Sequence, residues 1–291
     1  MNVSDLYLYV GFVGGWLVGR RWPSHGRWLE RATLASVIVL VALLGASFRS
    51  VPSAALVDVL PSAVLFALGI VGATLAIYAA LQRARRPGSP EGSDASVPPR
   101  PDRLPTSAIL VAGLLVGVGI GRTVALPTGL LLPLALAALL ALVGYGLEID
   151  LQKVRGAWVP IASASAGAVV AGAVGAFFLP LGRSASFASA LGFGWYSLAG
   201  PLVAARLGAT LGLFAFVVNF LREGLTMVLA PYLGPRLRGQ GLAAMGGATS
   251  MDTTLYFVVR YGDRSAGALA VASGLTLTVA ASLLVPLVLA L

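Results

Sequence analysis

Apolar residues fall along the chain in long blocks separated by short polar loops. Ten blocks stand out, over residues 6–19, 32–48, 55–81, 106–121, 128–147, 158–181, 185–206, 210–233, 241–259 and 266–291. Most approach the roughly 20 apolar residues that a helix needs to cross a bilayer. The first, fourth and ninth are shorter and rich in glycine, which makes them candidates for re-entrant segments. The pattern predicts an all-α polytopic membrane protein with about ten transmembrane or re-entrant helical segments and eight to ten crossings.

One interruption differs from the rest. The stretch RARRPGSPEGSDASVPPRPDRLP, residues 83–105, is rich in Pro, Ser and Gly and has no apolar periodicity. Such composition predicts a flexible, solvated linker. It divides the chain into an N-terminal three-helix membrane module (1–82), a cytoplasmic linker (83–105) and a main module (106–291). GFVGGWLVGR at 11–20 resembles GLLVGVGIGR at 113–122, each opening a module ahead of a long apolar helix. An odd number of helices between two copies would invert the second in the membrane, the plan of many secondary transporters. The alternative is a chance effect of Gly/Val/Leu bias.

Composition agrees with a lipid environment. Mean hydropathy is +0.90, with 58% hydrophobic and 11% charged residues, against about 25% charged in soluble domains. The net charge of +9 sits in loops between apolar blocks, which reads as topology and not as a nucleic-acid surface. Arg20, Arg21, Arg27 and Arg31 follow the first block. Arg83, Arg85, Arg86, Arg100 and Arg103 follow the third, and Lys153 and Arg155 the fifth. Basic loops face the cytoplasm, so both termini are expected on the periplasmic side of an inner membrane. Arg236 and Arg238 fit that scheme only if blocks seven and nine are both re-entrant. The start of the chain lacks a basic n-region, so block one reads as a retained helix and not a cleaved leader.

The chain has no cysteine and one histidine, His25, in a basic loop. Thiolate metal sites, disulfides and His-based triads inside the membrane are thereby excluded, and no cofactor motif is evident. Of eleven acidic residues, only Glu223 and Asp252 lie deep in apolar blocks. A charge at the bilayer centre costs at least ~2.5–3.5 kcal/mol, so such a residue faces the protein interior, finds a partner or takes up a proton. Glu223 sits in Asn219-Phe220-Leu221-Arg222-Glu223. Asn219 and Glu223, four apart, share a helix face. Arg222 either holds a substrate carboxylate in its planar fork or permanently neutralises an acid.

Asp252 lies in Gly246-Gly247-Ala248-Thr249-Ser250-Met251-Asp252-Thr253-Thr254. Paired glycines weaken a helix by about 1 kcal/mol each relative to alanine. The hydroxyls of Thr249, Ser250, Thr253 and Thr254 then surround an acid. A broken helix explains this grouping, since its free backbone groups and hydroxyls can bind an ion or polar solute. A tight helix crossing is the structural alternative, and it leaves Asp252 unexplained. Gly192-Phe193-Gly194-Trp195-Tyr196-Ser197 is a second candidate. Gly192 and Gly194 permit an unwound turn, and Trp195, Tyr196 and Ser197 offer polar tips and a cation-binding face. An interfacial aromatic belt is the alternative.

GFGWYSLAGPL (192–202), FVVNFLREGLTMVLAPYL (216–233) and GGATSMDTTLYFVVRYG (246–262) together resemble the bacterial lysine exporter family of LysO type. The resemblance is clear over 110–291 and weak over 6–81. It implies export of L-lysine and toxic lysine analogues across the inner membrane in exchange for protons, with L-lysine, protons and lipid as partners, a homo-oligomer as an open option and no enzymatic activity. It also implies two essential intramembrane acids, which match Glu223 and Asp252. The family is similar in turn to cation/proton antiporters and bile-acid transporters, whose five-helix inverted repeats cross at a pair of broken helices. Tyr256 departs from the pattern, which has proline there. Two other readings use the same acids: a monovalent cation/proton antiporter of Na+/H+ type, and an intramembrane aspartyl-type enzyme.

Overall fold

The computed structural model describes residues 3–22, 27–47, 49, 53–84, 106–146, 154–262 and 266–291, and every regular element among them is helical. In chain order these are α1 (Val3–Arg21), α2 (Arg27–Ser47), α3 (Ser53–Ala84), α4 (Thr106–Thr123), α5 (Thr128–Tyr145), α6 (Trp158–Phe178), α7 (Arg183–Ala190), α8 (Tyr196–Leu207), α9 (Ala209–Gly246), α10 (Leu255–Phe257) and α11 (Gly267–Ala290). Four spans, Val57–Ala84, Arg155–Phe178, Ala209–Met251 and Gly267–Ala290, are long and apolar enough to cross a membrane. The chain is a multi-pass helical membrane protein. Nearly all of the 83–105 linker lies outside the described residues.

The helices form two compact units, one containing α1, α2, α4 and α5, the other containing α3 and everything from α6 onward. The first three segments, which precede the linker in sequence, are thus divided between the units in packing.

The first unit explains the glycine spacing. Gly11, Gly15 and Gly19 of α1 abut the carbonyls of Ala137, Ala141 and Tyr145 on α5, so closely that a Cβ at Gly15 or Gly19 would collide with them. On α4, Gly113 faces Ile38 of α2, while Gly117 and Gly121 press on the Ala42 and Ala46 carbonyls. In both pairs residue numbers rise together, so the helices run parallel. Small residues every four positions let backbones approach where lipid provides no hydrophobic drive. The two similar stretches therefore perform the same packing task, α1 against α5 and α4 against α2. Gly117→Leu is expected to destabilise this unit by about 3 kcal/mol, because overpacked side chains push backbones apart. Gly119, two residues on, has nothing within 4 Å of a built Cβ, and Gly119→Leu should stay within about 0.5 kcal/mol. Thermal unfolding of the two purified variants makes the comparison.

At one end of this unit Arg20 and Arg21 lie 5.6 and 5.5 Å from the Trp16 and Trp22 ring centroids. Arginine on amphipathic indole is the arrangement expected at the lipid headgroup level.

The second unit has one continuous apolar core. Phe66 and Ile70 of α3, Ala164, Ala168 and Ala171 of α6, Phe214, Val217 and Val218 of α9, and Leu277, Ala281 and Val285 of α11 all belong to it. Alanine and glycine on α6 admit its neighbours closely: Gly167 meets Thr74, Gly172 meets Phe187, and Gly175 meets Phe66.

α9 spans 38 residues, or about 57 Å at 1.5 Å per residue, against a hydrocarbon core of about 30 Å. It does not run straight. Arg238 has φ 54° and ψ −171°, and Pro231 and Pro235 precede it. A non-glycine residue at positive φ ends a helix, and proline removes backbone donors. The long limb therefore stops before Arg238, and a short limb, 239–246, starts a new segment. The boundary drawn from sequence between blocks eight and nine falls at this bend.

Candidate functional site

Blocks seven and nine are both interrupted midway. Block seven is α7, then a turn at 191–195, then α8. Block nine is the short limb of α9, a tight turn at Gly247–Met251, and α10 continuing as a wide turn through Val258–Gly262. The glycines expected to be unwound lie at these interruptions. Gly194 has φ +95° and Gly247 φ +66°, values open to glycine and strained for other residues. Gly246 is the last residue of the helix, and Gly192 is buried in the first turn.

The two interruptions touch. The Ala248 amide donates to the Phe193 carbonyl at 2.9 Å. A Cβ at Gly194 would stand 3.2 Å from the Gly246 carbonyl oxygen, and one at Gly247 would meet the Phe193 carbonyl at 2.5 Å. Two chains cross here at backbone contact distance, which only glycine permits on both sides.

The long limb of α9 passes this crossing and contributes Asn219, Arg222 and Glu223, all at most 2% exposed. The Asn219 side chain accepts from the Gly194 amide at 2.8 Å and donates to the Ser189 and Ala215 carbonyls, both at 2.9 Å. Both amide hydrogens and the carbonyl oxygen are thereby engaged with backbone. Gly192 leaves room for this amide, since a Cβ there would come within 2.7 Å of it. Arg222 donates from Nε to the Met245 carbonyl at 3.1 Å and from Nη2 to the Ala244 carbonyl at 3.2 Å. Its guanidinium lies 5.9 Å from the Phe193 ring centroid. Arg222 thus binds the end of the short limb through Nε and Nη2, its Nη1 has no hydrogen-bond partner, and it is not bonded to Glu223.

Neither Glu223 carboxyl oxygen has a hydrogen bond of good geometry, and the Thr253 hydroxyl is the donor near it. The groups acting on Glu223 are Asp252 and the Thr253 side chain, and Tyr196 is within electrostatic reach of both acids. Asp252 Oδ1 accepts from the Thr253 amide and, at 3.2 Å, from the Thr253 hydroxyl. Two acids, a hydroxyl and a phenol from three elements therefore gather beside the crossing. Placing carboxylates together without a well-aligned donor for one of them opposes stability, and a cation or a proton satisfies such a pair. Among the described residues there is no group of three or more His, Cys, Asp or Glu placed to hold a metal.

The other candidates have different surroundings. Thr249 donates to the Gly246 carbonyl at 3.0 Å and contacts the Thr254 hydroxyl at 3.3 Å. The Ser250 hydroxyl lies 2.8 Å from the Gly247 carbonyl and 2.9 Å from that of Ala270 on α11. Both stabilise the turn. Trp195 packs on the apolar core, and Ser197 is exposed. Tyr256 sits in the first turn after Thr254, a position of a helix that proline also tolerates. Tyrosine there is compatible with the break.

Three contributors carry no polar signal in the sequence. Phe193 holds φ 50°, strained for a non-glycine residue, and supplies both the carbonyl and the ring of the crossing. Phe216 and Phe220, 5.1 and 5.8 Å from the Tyr196 ring centroid, form its aromatic wall. They lie seven and three residues before Glu223, hence on its face of the helix, and that spacing was the available clue.

The family model described as lysine exporter LysO matches residues 107–289. Lysine exporter LysO of Escherichia coli K12 is 38% identical over 122 residues, 42% of this chain and 39% of that protein. A putative lysine exporter of Haemophilus influenzae is 30% identical over 107 residues, 37% of this chain and 54% of that protein. The chain thus aligns with about half or less of these curated relatives' length. No solved structure matches significantly. The family match takes in well over half of the chain, including both interruptions and both acids, and the chain belongs to the lysine exporter LysO family.

Proposed function

We propose that this chain exports L-lysine, and toxic analogues of it, across the inner membrane in exchange for protons. The observation that carries the reading is the pairing of the buried Glu223 with the partly buried Asp252, drawn from two elements at a crossing of broken helices, with neither Glu223 oxygen in a hydrogen bond of good geometry. An acid in that setting is satisfied by an ammonium group or by a proton, and binding one disfavours the other. Alternating access to the two sides then couples lysine leaving to protons entering. The membrane potential contributes about 2.3 kcal/mol per charge per 100 mV to any cycle that moves net charge.

Family membership supports lysine as the cargo and transport as the activity, and we read no enzymatic activity in the acid pair. Sodium is the competing cargo, since carboxylates with a hydroxyl also suit it. Purified protein in proteoliposomes distinguishes the two: labelled lysine should move under a pH gradient, with no sodium requirement. Sodium flux without lysine flux would replace this reading with a cation/proton antiporter.

Orientation follows from the basic loops, with both ends of the chain periplasmic. A tag at Gly26 or Pro90 should be inaccessible from the periplasm of intact cells, and one after Leu291 accessible. A periplasmic tag at Pro90 would reverse the orientation.

A further inference from the structure

The last four carbonyls of a helix have no partner within it, and at a buried helix end each must be satisfied. The short limb of α9 ends at Gly246 inside the protein. The Ala243 carbonyl accepts from the Gly247 amide, and the Gly246 carbonyl from the Thr249 hydroxyl. The two between, Met245 and Ala244, accept from Nε and Nη2 of Arg222. A positive charge at that point also opposes the negative end of the helix dipole. The guanidinium stands where a bound cation would serve the same carbonyls. It reaches them from a different segment, while its face lies against Phe193 of the other interruption. One turn earlier on the same limb, Asn219 holds the Ser189 carbonyl and the Gly194 amide. A single helix face thus fastens both interruptions, and Glu223 follows Arg222 directly in sequence.

We infer that Arg222 is a tethered cation that fills a carbonyl-lined position at the crossing, and that with Asn219 it positions Glu223 and Asp252 without touching substrate. Both are positioning residues for the exchange under Proposed function, and the inference rests on that reading for its transport readout. A planar fork is needed to reach two carbonyls at once. Lysine brings one point charge and cannot reproduce the geometry. A tethered cation also removes any need for a dissociable one at this position.

The test compares Arg222→Ala, Arg222→Lys and Asn219→Ala with wild type in proteoliposomes, measuring maximal rate and KM for lysine separately. Losing hydrogen bonds to a charged group should lower the maximal rate at least about tenfold in Arg222→Ala. KM should stay within about twofold, because the bound substrate loses no contact. Arg222→Lys should fall between the two, and Asn219→Ala should show the same rate-only pattern. Millimolar guanidinium should restore part of the Arg222→Ala rate and leave wild type unchanged.

A second readout needs no lysine. Guanidinium should raise the melting temperature of detergent-purified Arg222→Ala by binding its folded state, while lowering that of wild type. If the lysine reading fails, this melting result still decides the inference. If Arg222→Ala does not insert, the rate and KM of Arg222→Lys decide it. A raised KM at unchanged maximal rate would assign Arg222 to the substrate carboxylate and overturn the proposal. So would a folded Arg222→Ala that guanidinium neither stabilises nor rescues.

Discussion

Glu223→Gln and Asp252→Asn are each expected to reduce proton-coupled lysine exchange at least about 100-fold, some 2.7 kcal/mol of lost coupling, while the protein folds and inserts normally. The substitutions keep shape and remove the titratable group. Neither Glu223 oxygen accepts a hydrogen bond of good geometry, and the nearby Thr253 hydroxyl can still donate to an amide oxygen, so a neutral amide removes a buried charge and abandons no partner. Stability should hold or rise, since an unpaired buried charge opposes folding. Asp252→Asn retains a carbonyl oxygen for the Thr253 amide and hydroxyl that Oδ1 now accepts from. Removing the hydroxyl in Thr253→Val should alter lysine affinity more than coupling. Flux and thermal unfolding, measured together, separate loss of function from loss of fold. An amide variant that unfolds would reveal a structural role that the absent hydrogen bonds do not predict.

The second large effect is expected at Gly247. Its φ of +66° with ψ −124° lies in backbone territory open essentially to glycine, where other residues pay about 1–3 kcal/mol. A Cβ would also press on the Phe193 carbonyl at 2.5 Å and on Arg222 Nη2 at 2.9 Å. Gly247→Ala should therefore separate the two interruptions and displace the guanidinium together, with lysine flux reduced at least about tenfold. Gly224 is the matched control. It follows Glu223 on the same limb and has nothing within 4 Å of a built Cβ. Gly224→Ala should leave flux intact and add up to about 1 kcal/mol of helix stability. Equal effects at both glycines would point to general sensitivity of α9 and away from the crossing.

Much of this arrangement was legible in the sequence because lipid and burial leave strong marks. Apolar blocks located the helices to within a few residues, and two acids in otherwise apolar stretches stood out by their insertion cost. Gly246-Gly247 and Gly192-Phe193-Gly194 located the interruptions because consecutive or flanking glycines weaken a helix there. What the sequence left open was partnership. Asn219 and Arg222 look like ligands in a linear reading, since polar groups in an apolar helix suggest a site. Only the fold places the Ser189 and Ala244 carbonyls within their reach. Phe193 was invisible for a related reason: its contribution is a backbone carbonyl and a strained φ, neither of which residue type reveals. The glycine spacing shared by 11–20 and 113–122 was readable, yet its use depended on α5 and α2 lying beside α1 and α4. The grouping of α3 with α6 and α9 is likewise a matter of packing between segments far apart in the chain.

Exchange of lysine for protons at the Glu223–Asp252 pair is read out by following both fluxes across one sealed membrane. Wild-type protein is reconstituted into proteoliposomes with equal lysine on both sides, a pH gradient is imposed, and labelled lysine and internal pH are followed together. The account predicts net lysine movement opposite to the proton gradient, proton movement that depends on lysine, no requirement for sodium, and loss of both fluxes in Glu223→Gln. Lysine that only equilibrates, or a Glu223→Gln, Asp252→Asn double variant that still drives lysine uphill at the wild-type rate, would contradict it.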